Sequence, residues 1–321
     1  METINWGIIG CGNVTEKKSG PAFNKVPNSR LVAVMRRDAG KAADYAQRHG
    51  VSKWYSDADE LMNDPEINAV YIATPPAQHL PYALSALKKG LHVYVEKPVT
   101  LNAAEAKQIA DAIAQSNAKL TVCHYRRQLP LFLKIRELIE TGAIGDIRII
   151  QIRLWQSRKP GLVANSETNW RINPELSGGG YFHDLAPHQL DIMLYYFGKP
   201  LKYSGFSLNQ ADMSAADDNV NGQILFSNNI PVSGSWSFNV FEHEQTDLCE
   251  IIGSTGKISF AFFGNYIKLN NELIEVTHPE HIQQPMIEQV VRYFRGERAV
   301  NPAPIEEAVT LMQIMDAFTS K

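Results

Sequence analysis

The chain has 321 residues, too many for one ordinary α/β core and a comfortable length for two domains. Hydrophobic residues make up 44% and charged residues 20%, a globular balance, and a net charge of −3 gives no electrostatic reason to expect nucleic acid or an anionic membrane as partner. Cys11, Cys123 and Cys249 lie too far apart for a metal spacing and read as free thiols of a reducing compartment. With no basic-then-apolar leader and no apolar run long enough for a bilayer, the expectation is a cytoplasmic protein.

In chain order, strand-like runs at Trp6–Ile9, Leu31–Met35, Ala69–Ala73, Leu91–Val95 and Leu120–Cys123 alternate with helical patterns such as Gly40–His49, Gln78–Lys89 and Ala103–Ser116. Asn102 followed by Glu105 has the spacing of a helix cap with a reciprocal carboxylate. Buried strands alternating with helices predict a doubly wound parallel sheet, a Rossmann-type α/β domain over residues 1–123. After a helix at Leu129–Glu140 the pattern becomes strand-like: Arg148–Trp155, Val220–Phe226, Pro231–Phe238, Asp247–Ile252 and Lys257–Phe263, with turns such as Ser227-Asn228-Asn229 between them. One helix, His183–Phe197, interrupts this region, and helices return at Met286–Arg295 and Glu306–Phe318. The second domain, residues 124–321, is therefore expected to be α+β with a large, mostly antiparallel open sheet, its helices at 283–321 packing back on the first domain. A sheet with one uncovered face favours a homodimer or homotetramer.

The run Gly10-Cys11-Gly12-Asn13-Val14-Thr15 follows the first strand and opens a helix. Glycines there allow a tight turn and close approach of backbone N–H groups to a pyrophosphate, and the helix dipole favours the charge. Thr15 replaces the third glycine of the usual fingerprint, so the position of the run after the first strand carries the reading of a dinucleotide site. The second strand normally ends in a carboxylate that accepts from the adenosine ribose. Here Arg36 and Arg37 stand at that place, with Asp38 behind them. Arginines suit a 2′-phosphate, so NADP(H) is the expected cofactor; Asp38 turned inward would restore NAD(H).

Val95-Glu96-Lys97-Pro98 puts a lysine at the carboxyl end of a buried strand, where ligands sit in open α/β sheets and an ammonium can hydrogen-bond a substrate hydroxyl. A capping role in the turn is the plainer alternative. Gly178-Gly179-Gly180 precedes Asp184 and His188, which are four apart and share one face of a helix, with Asp191 three further on. Histidine exchanges a proton near neutral pH and a carboxylate can orient it, although a buried structural pair has the same spacing. A metal would need more ligands than this run supplies.

Taken in order, Gly10-Cys11-Gly12-Asn13, Glu96-Lys97-Pro98 and the Gly-Gly-Gly…Asp184…His188 run resemble the glucose–fructose oxidoreductase/inositol dehydrogenase (Gfo/Idh/MocA) family over essentially the whole chain, nearest its anhydrofructose reductase/dihydrodiol dehydrogenase-like branch. The resemblance implies an NAD(P)-dependent oxidoreductase of sugars, polyols or related carbonyl compounds, with Lys97 and His188 catalytic, Asp184 assisting and a cis bond before Pro98. It also implies that Thr74, Pro75 and His79 lie along the cofactor with Glu96. Trp170, Arg171, Tyr125 and Arg126 would face the substrate. Arg36 departs from the acidic residue of NAD-preferring members. Hydride transfer with His188 exchanging the hydroxyl proton and Lys97 polarising that oxygen is the expected chemistry; either residue can carry the proton. Two other readings stay open. A nicotinamide-dependent glycosidase acting by transient oxidation and elimination would hydrolyse an aryl glycoside without added cofactor. A non-catalytic cofactor-binding sensor would bind without turnover.

Overall fold

The computed structural model describes residues 3–158, 160–163 and 169–319, the Lys17 side chain excepted; the outermost ends of the expected domains, at Met1 and Lys321, lie outside the described residues. The chain divides into two compact units, residues 1–125 with 279–309, and residues 126–278 with 310–321.

In the first unit, the strands are β1 (Ile4–Ile9), β2 (Ser29–Met35), β3 (Lys53–Tyr55), β4 (Ala69–Ile72), β5 (His92–Val95) and β6 (Leu120–Val122). They form one parallel sheet in the order β3-β2-β1-β4-β5-β6. The helices are α1 (Ala39–His49), α2 (Ala58–Met62), α3 (His79–Lys88) and α4 (Ala103–Ala114). Strands β4 and β5 are buried throughout, as a sheet covered on both faces requires. The expected cap exists: Asn102 accepts from the Glu105 N–H at 3.0 Å, and Glu105 reaches back to the Leu101 N–H at 3.1 Å. Two short elements, β3 and α2, escape a period-based reading because three and five residues are too few to show a period.

The helix expected after the glycine turn is not a plain α-helix. Thr15–Ser19 form a π turn and Gly20–Asn24 a 3-10 turn. Pro21 lacks an N–H, and Gly20 lies so close to its neighbours that an added Cβ would stand 2.3 Å from both the Thr15 carbonyl oxygen and Tyr45 Oη. The close-packing glycine therefore falls at position 20 instead of position 15.

In the second unit, α5 (Pro130–Glu140) precedes β7 (Ile147–Trp155). Then follow α6 (Pro174–Ser177), α7 (Gly180–Phe197) and the strands β8 (Pro200–Leu208), β9 (Asn219–Phe226), β10 (Ile230–Ser237), β11 (Thr246–Gly253), β12 (Lys257–Phe260), β13 (Tyr266–Leu269) and β14 (Glu272–Glu275). The sheet order is β14-β13-β12-β11-β7-β10-β9-β8, antiparallel except where β10 lies parallel to β7. Alternation sends Ile150, Ile152, Leu154, Val232 and Trp236 to the buried face, while Gln151, Arg153, Gln223, Ser233 and Ser235 line a shallow groove on the other.

Two expected boundaries shift for identifiable reasons. Strand β12 stops at Phe260, not Phe263, because the Asp247 carboxylate takes the backbone N–H groups of Phe262 and Phe263 at 3.0 and 2.8 Å. Helix α7 starts at Gly180, three residues before the expected His183, because Ser177 Oγ accepts the N–H of Gly180 at 3.0 Å. Gly180 has φ +78°, and a Cβ there would lie 2.6 Å from that of Ala216, so this glycine answers to close approach as well as to backbone freedom. After α7, helix α8 (Gln284–Arg295) belongs to the first unit, and α9 (Ile305–Thr319) begins in the first unit and continues in the second.

Candidate active site

The strand order of the first unit reverses between β1 and β4, and the crevice outside the carboxyl ends of those strands is where such sheets bind ligands. Four sequence-predicted segments end strands here: Gly10 to Val14 after β1, Arg36 and Arg37 after β2, Thr74 and Pro75 after β4, Glu96 and Lys97 after β5. Gly10 sits at φ +96° with its N–H on the Met35 carbonyl at 2.9 Å; a Cβ would stand 2.8 Å from Thr74 Cγ2. The turn after β1 is thus packed against the loop after β4, which only glycine permits. A Cβ on Gly12 would point into space whose nearest atom is the Gly10 oxygen at 4.0 Å. Against Gly10, the buried Thr74 hydroxyl has no hydrogen-bond partner among the described residues. An open hollow over a glycine turn and a buried hydroxyl awaiting a partner fit a bound dinucleotide.

Glu16, one turn along, is held by Arg48 through bonds of 2.8 and 2.9 Å and by His49 at 2.7 Å; the Arg48 bonds bring its carboxyl down to about 2. Burial pushes the Cys11 thiol up to about 11, against the opposing pull of the nearby Arg36 charge. Arg36 is half-buried and Arg37 exposed, while Asp38 caps α1 by accepting the Lys41 N–H at 3.1 Å.

His79 is buried with one ring nitrogen 2.8 Å from the Thr74 carbonyl oxygen and the other 2.9 Å from that of Pro98. Burial lowers its pKa, so the neutral ring has one N–H to donate to one of these carbonyls while it packs between the loop after β4 and the loop after β5. The Lys97–Pro98 bond is cis. Lys97 is half-buried, its N–H donates to Glu96 Oε2 at 3.2 Å, and its charge pulls on the Cys123 thiol, which burial raises well above the ordinary thiol range.

In the second unit α7 carries Asp184 and His188 one turn apart. Asp184 Oδ2 accepts from Arg171 Nε at 2.8 Å, and the Arg171 guanidinium lies 4.4 Å from the centre of the Trp170 ring. Arg171 is 6% exposed, so it is no free surface cation. His188, also 6% exposed, meets the Phe263 ring edge to face at 5.6 Å. Asp191 is not part of this set: Arg127 binds it bidentately in a fully buried ion pair. Arg126 donates to the Phe262 carbonyl and lies 4.2 Å from the Phe263 ring centre. Tyr125 is buried in the first unit.

Two family models match, "Oxidoreductase family, NAD-binding Rossmann fold" over residues 4–124 and "GFO/IDH/MocA C-terminal domain" over residues 132–259. The chain belongs to the Gfo/Idh/MocA oxidoreductase family. It is similar to "Oxidoreductase P35" of Formosa agariphila, 50% identical over 319 residues that cover 98% of each chain. A levoglucosan dehydrogenase structure in complex with NADH and levoglucosan superposes with TM-score 0.83 at 23% identity, covering 98% of this chain and 96% of that one. A 3-ketoreductase from Actinomadura kijaniata in complex with NADP and TDP-benzene gives TM-score 0.83 at 18% identity, covering 98% and 97%. At those identities the two structures share the fold. Like other members of its family, this chain is an oxidoreductase with an NAD(P)-binding Rossmann domain. Among the described residues no helix is long and apolar enough to cross a membrane.

Four residues around these sites carry no motif in the sequence. Glu16 and Arg48 pair across 32 positions, Asp247 fixes the Phe262–Phe263 turn, and Gln283 reaches the Glu96 carboxylate across 187 positions. Only tertiary contact marks them.

Proposed function

We propose that this oxidoreductase transfers a hydride between NADP(H) and the carbinol or carbonyl carbon of a sugar, polyol or related hydroxylated compound. The observation that carries the reading is Lys97 at the end of β5, next to the reversal of strand order that holds the glycine turn. The levoglucosan bound in the levoglucosan dehydrogenase structure supports the substrate class. When bound, the nicotinamide supplies or accepts the hydride. Gly10, Gly12, Asn13 and Val14 cradle the pyrophosphate, and the Thr74 hydroxyl and Pro75 lie along the dinucleotide. His79 and Glu96 position the two loops. Lys97 donates a hydrogen bond to the reacting oxygen, and His188 exchanges its proton. Asp184 and Arg171, neutralising each other, offer a substrate both acceptor and donor atoms, with the Trp170 ring beside the guanidinium. Arg126 acts through Phe263.

Cofactor choice rests on Arg36. Its position beside the glycine turn suits a 2′-phosphate, and Asp38 is committed to the helix cap. A charge-assisted bond to phosphate contributes on the order of 1.5–3 kcal/mol, which corresponds to roughly tenfold to hundredfold discrimination. Measured by nicotinamide absorbance across a panel of sugars, polyols and dihydrodiols, kcat/KM should favour NADP(H), and Arg36→Asp should reverse the preference while sparing kcat. Wild-type values favouring NAD(H) would refute the phosphate reading.

The uncovered face of the eight-stranded sheet supports a homodimer or homotetramer. Sedimentation should show an assembly larger than the monomer, and Ser235→Glu, which places charge on that face, should shift it toward monomer. A wild-type monomer at micromolar concentration would count against the interface.

A further inference from the structure

Gln283, the residue before α8, is 1% exposed and returns to the turn that carries Lys97. Its Nε2 donates to Glu96 Oε1 at 2.9 Å. Its Oε1 accepts from Cys123 Sγ at 3.4 Å and lies 3.3 Å from Tyr71 Oη. Tyr71 has one proton, and its 2.5 Å contact with Glu96 Oε1 takes it. The amide orientation follows from chemistry: a carboxylate only accepts, so the NH₂ group faces it. The Gln283 backbone N–H donates to the Lys18 carbonyl at 3.4 Å, in the π turn after the glycine motif. Burial raises both the Tyr71 phenol and the Cys123 thiol well above their ordinary ranges, so both stay protonated as donors.

Glu96 is 7% exposed, and its carboxylate accepts from Tyr71, from Gln283 and from the backbone N–H of Lys97. A buried carboxylate loses the most when a donor is removed. An apolar side chain at 283 would fill the same space but could neither donate to the carboxylate nor accept from the thiol. We infer that Gln283 is a positioning residue: by holding the Glu96 carboxylate, it fixes the backbone from which Lys97 reaches the reacting oxygen, and its main chain ties that turn to the dinucleotide helix. This rests on the proposed role of Lys97.

The test uses the full chain with Gln283→Met, Gln283→Glu and, in parallel, Lys97→Met, measuring kcat, KM, dinucleotide Kd by fluorescence and the pH profile. Gln283→Met should lower kcat by about 10–100-fold and leave dinucleotide Kd within about twofold, because its backbone bond to Lys18 survives. Gln283→Glu sets a second carboxyl against Glu96. The pair shares one proton at low pH and the neutral member donates in place of the amide, so activity should persist in acid and fall as pH rises. Should Gln283→Met not fold, this near-isosteric variant carries the test alone, and a wild-type pH profile in it overturns the inference. A folded Gln283→Met with wild-type kcat, or with its loss confined to dinucleotide Kd, overturns the inference while an inactive Lys97→Met leaves the Lys97 assignment standing. Wild-type kcat in Lys97→Met overturns both.

Discussion

Lys97→Met is expected to remove most turnover, by about 10²–10⁴-fold in kcat, the usual loss when a positioned proton donor or electrostatic group is deleted. Met keeps the length of the stem and removes only the ammonium. The backbone N–H of residue 97 still meets the Glu96 carboxylate, so the turn keeps its anchor. Gly10 and Gly12, which form the glycine turn, are unchanged in the variant, so dinucleotide affinity should change far less than kcat. Folding is checked by circular dichroism and thermal melting, and affinity by fluorescence titration. A folded variant with near-normal kcat would show that the lysine only caps its turn.

Much of the first unit was legible in the sequence because its chemistry is local. Buried four- to seven-residue apolar runs spaced by helical patterns define a parallel sheet, and the segments that follow β1, β2, β4 and β5 must then gather at one sheet edge. The Asn102–Glu105 cap is a relation between neighbours, and it appears as read. What was not legible depends on distant atoms. The carboxylate of Asp247 ends β12 three residues early, and the hydroxyl of Ser177 starts α7 early; both compete for backbone N–H groups that a periodic pattern assigns to a strand or a loop. β8 shows no clean apolar alternation because it is an edge strand whose Leu201, Phe206 and Leu208 face solvent, so its apolar residues do not mark a buried face. At the candidate site the same division holds. Same-face spacing put Asp184 and His188 on one helix, but only the structure gives Asp184 its partner Arg171 and takes Asp191 away to Arg127.

His188→Asn is expected to cost kcat on a similar scale, about 10²–10⁴-fold, and to erase one limb of its pH profile. His188 is buried on α7 and its imidazole stands nearly perpendicular, 83°, to the Phe263 ring. Phe263 is itself fixed: Asp247 accepts its N–H at 2.8 Å, and the Arg126 guanidinium lies over its ring at 4.2 Å. Burial raises the Asp247 carboxyl, while its bonds from the Phe262 and Phe263 N–H groups pull the other way. An imidazole oriented by such a framework loses little freedom when it meets a substrate hydroxyl. Asn is polar and of similar reach, and it can still hydrogen-bond that hydroxyl, but it cannot carry a proton between pH values near neutrality. Substrate KM should therefore move less than kcat. The solvent isotope effect on kcat should change as well, because the proton must then leave by another route. If the variant keeps the wild-type rate, the wild-type pH profile and the wild-type isotope effect together, the ring on α7 is a packing partner of Phe263, and Lys97 alone handles the proton.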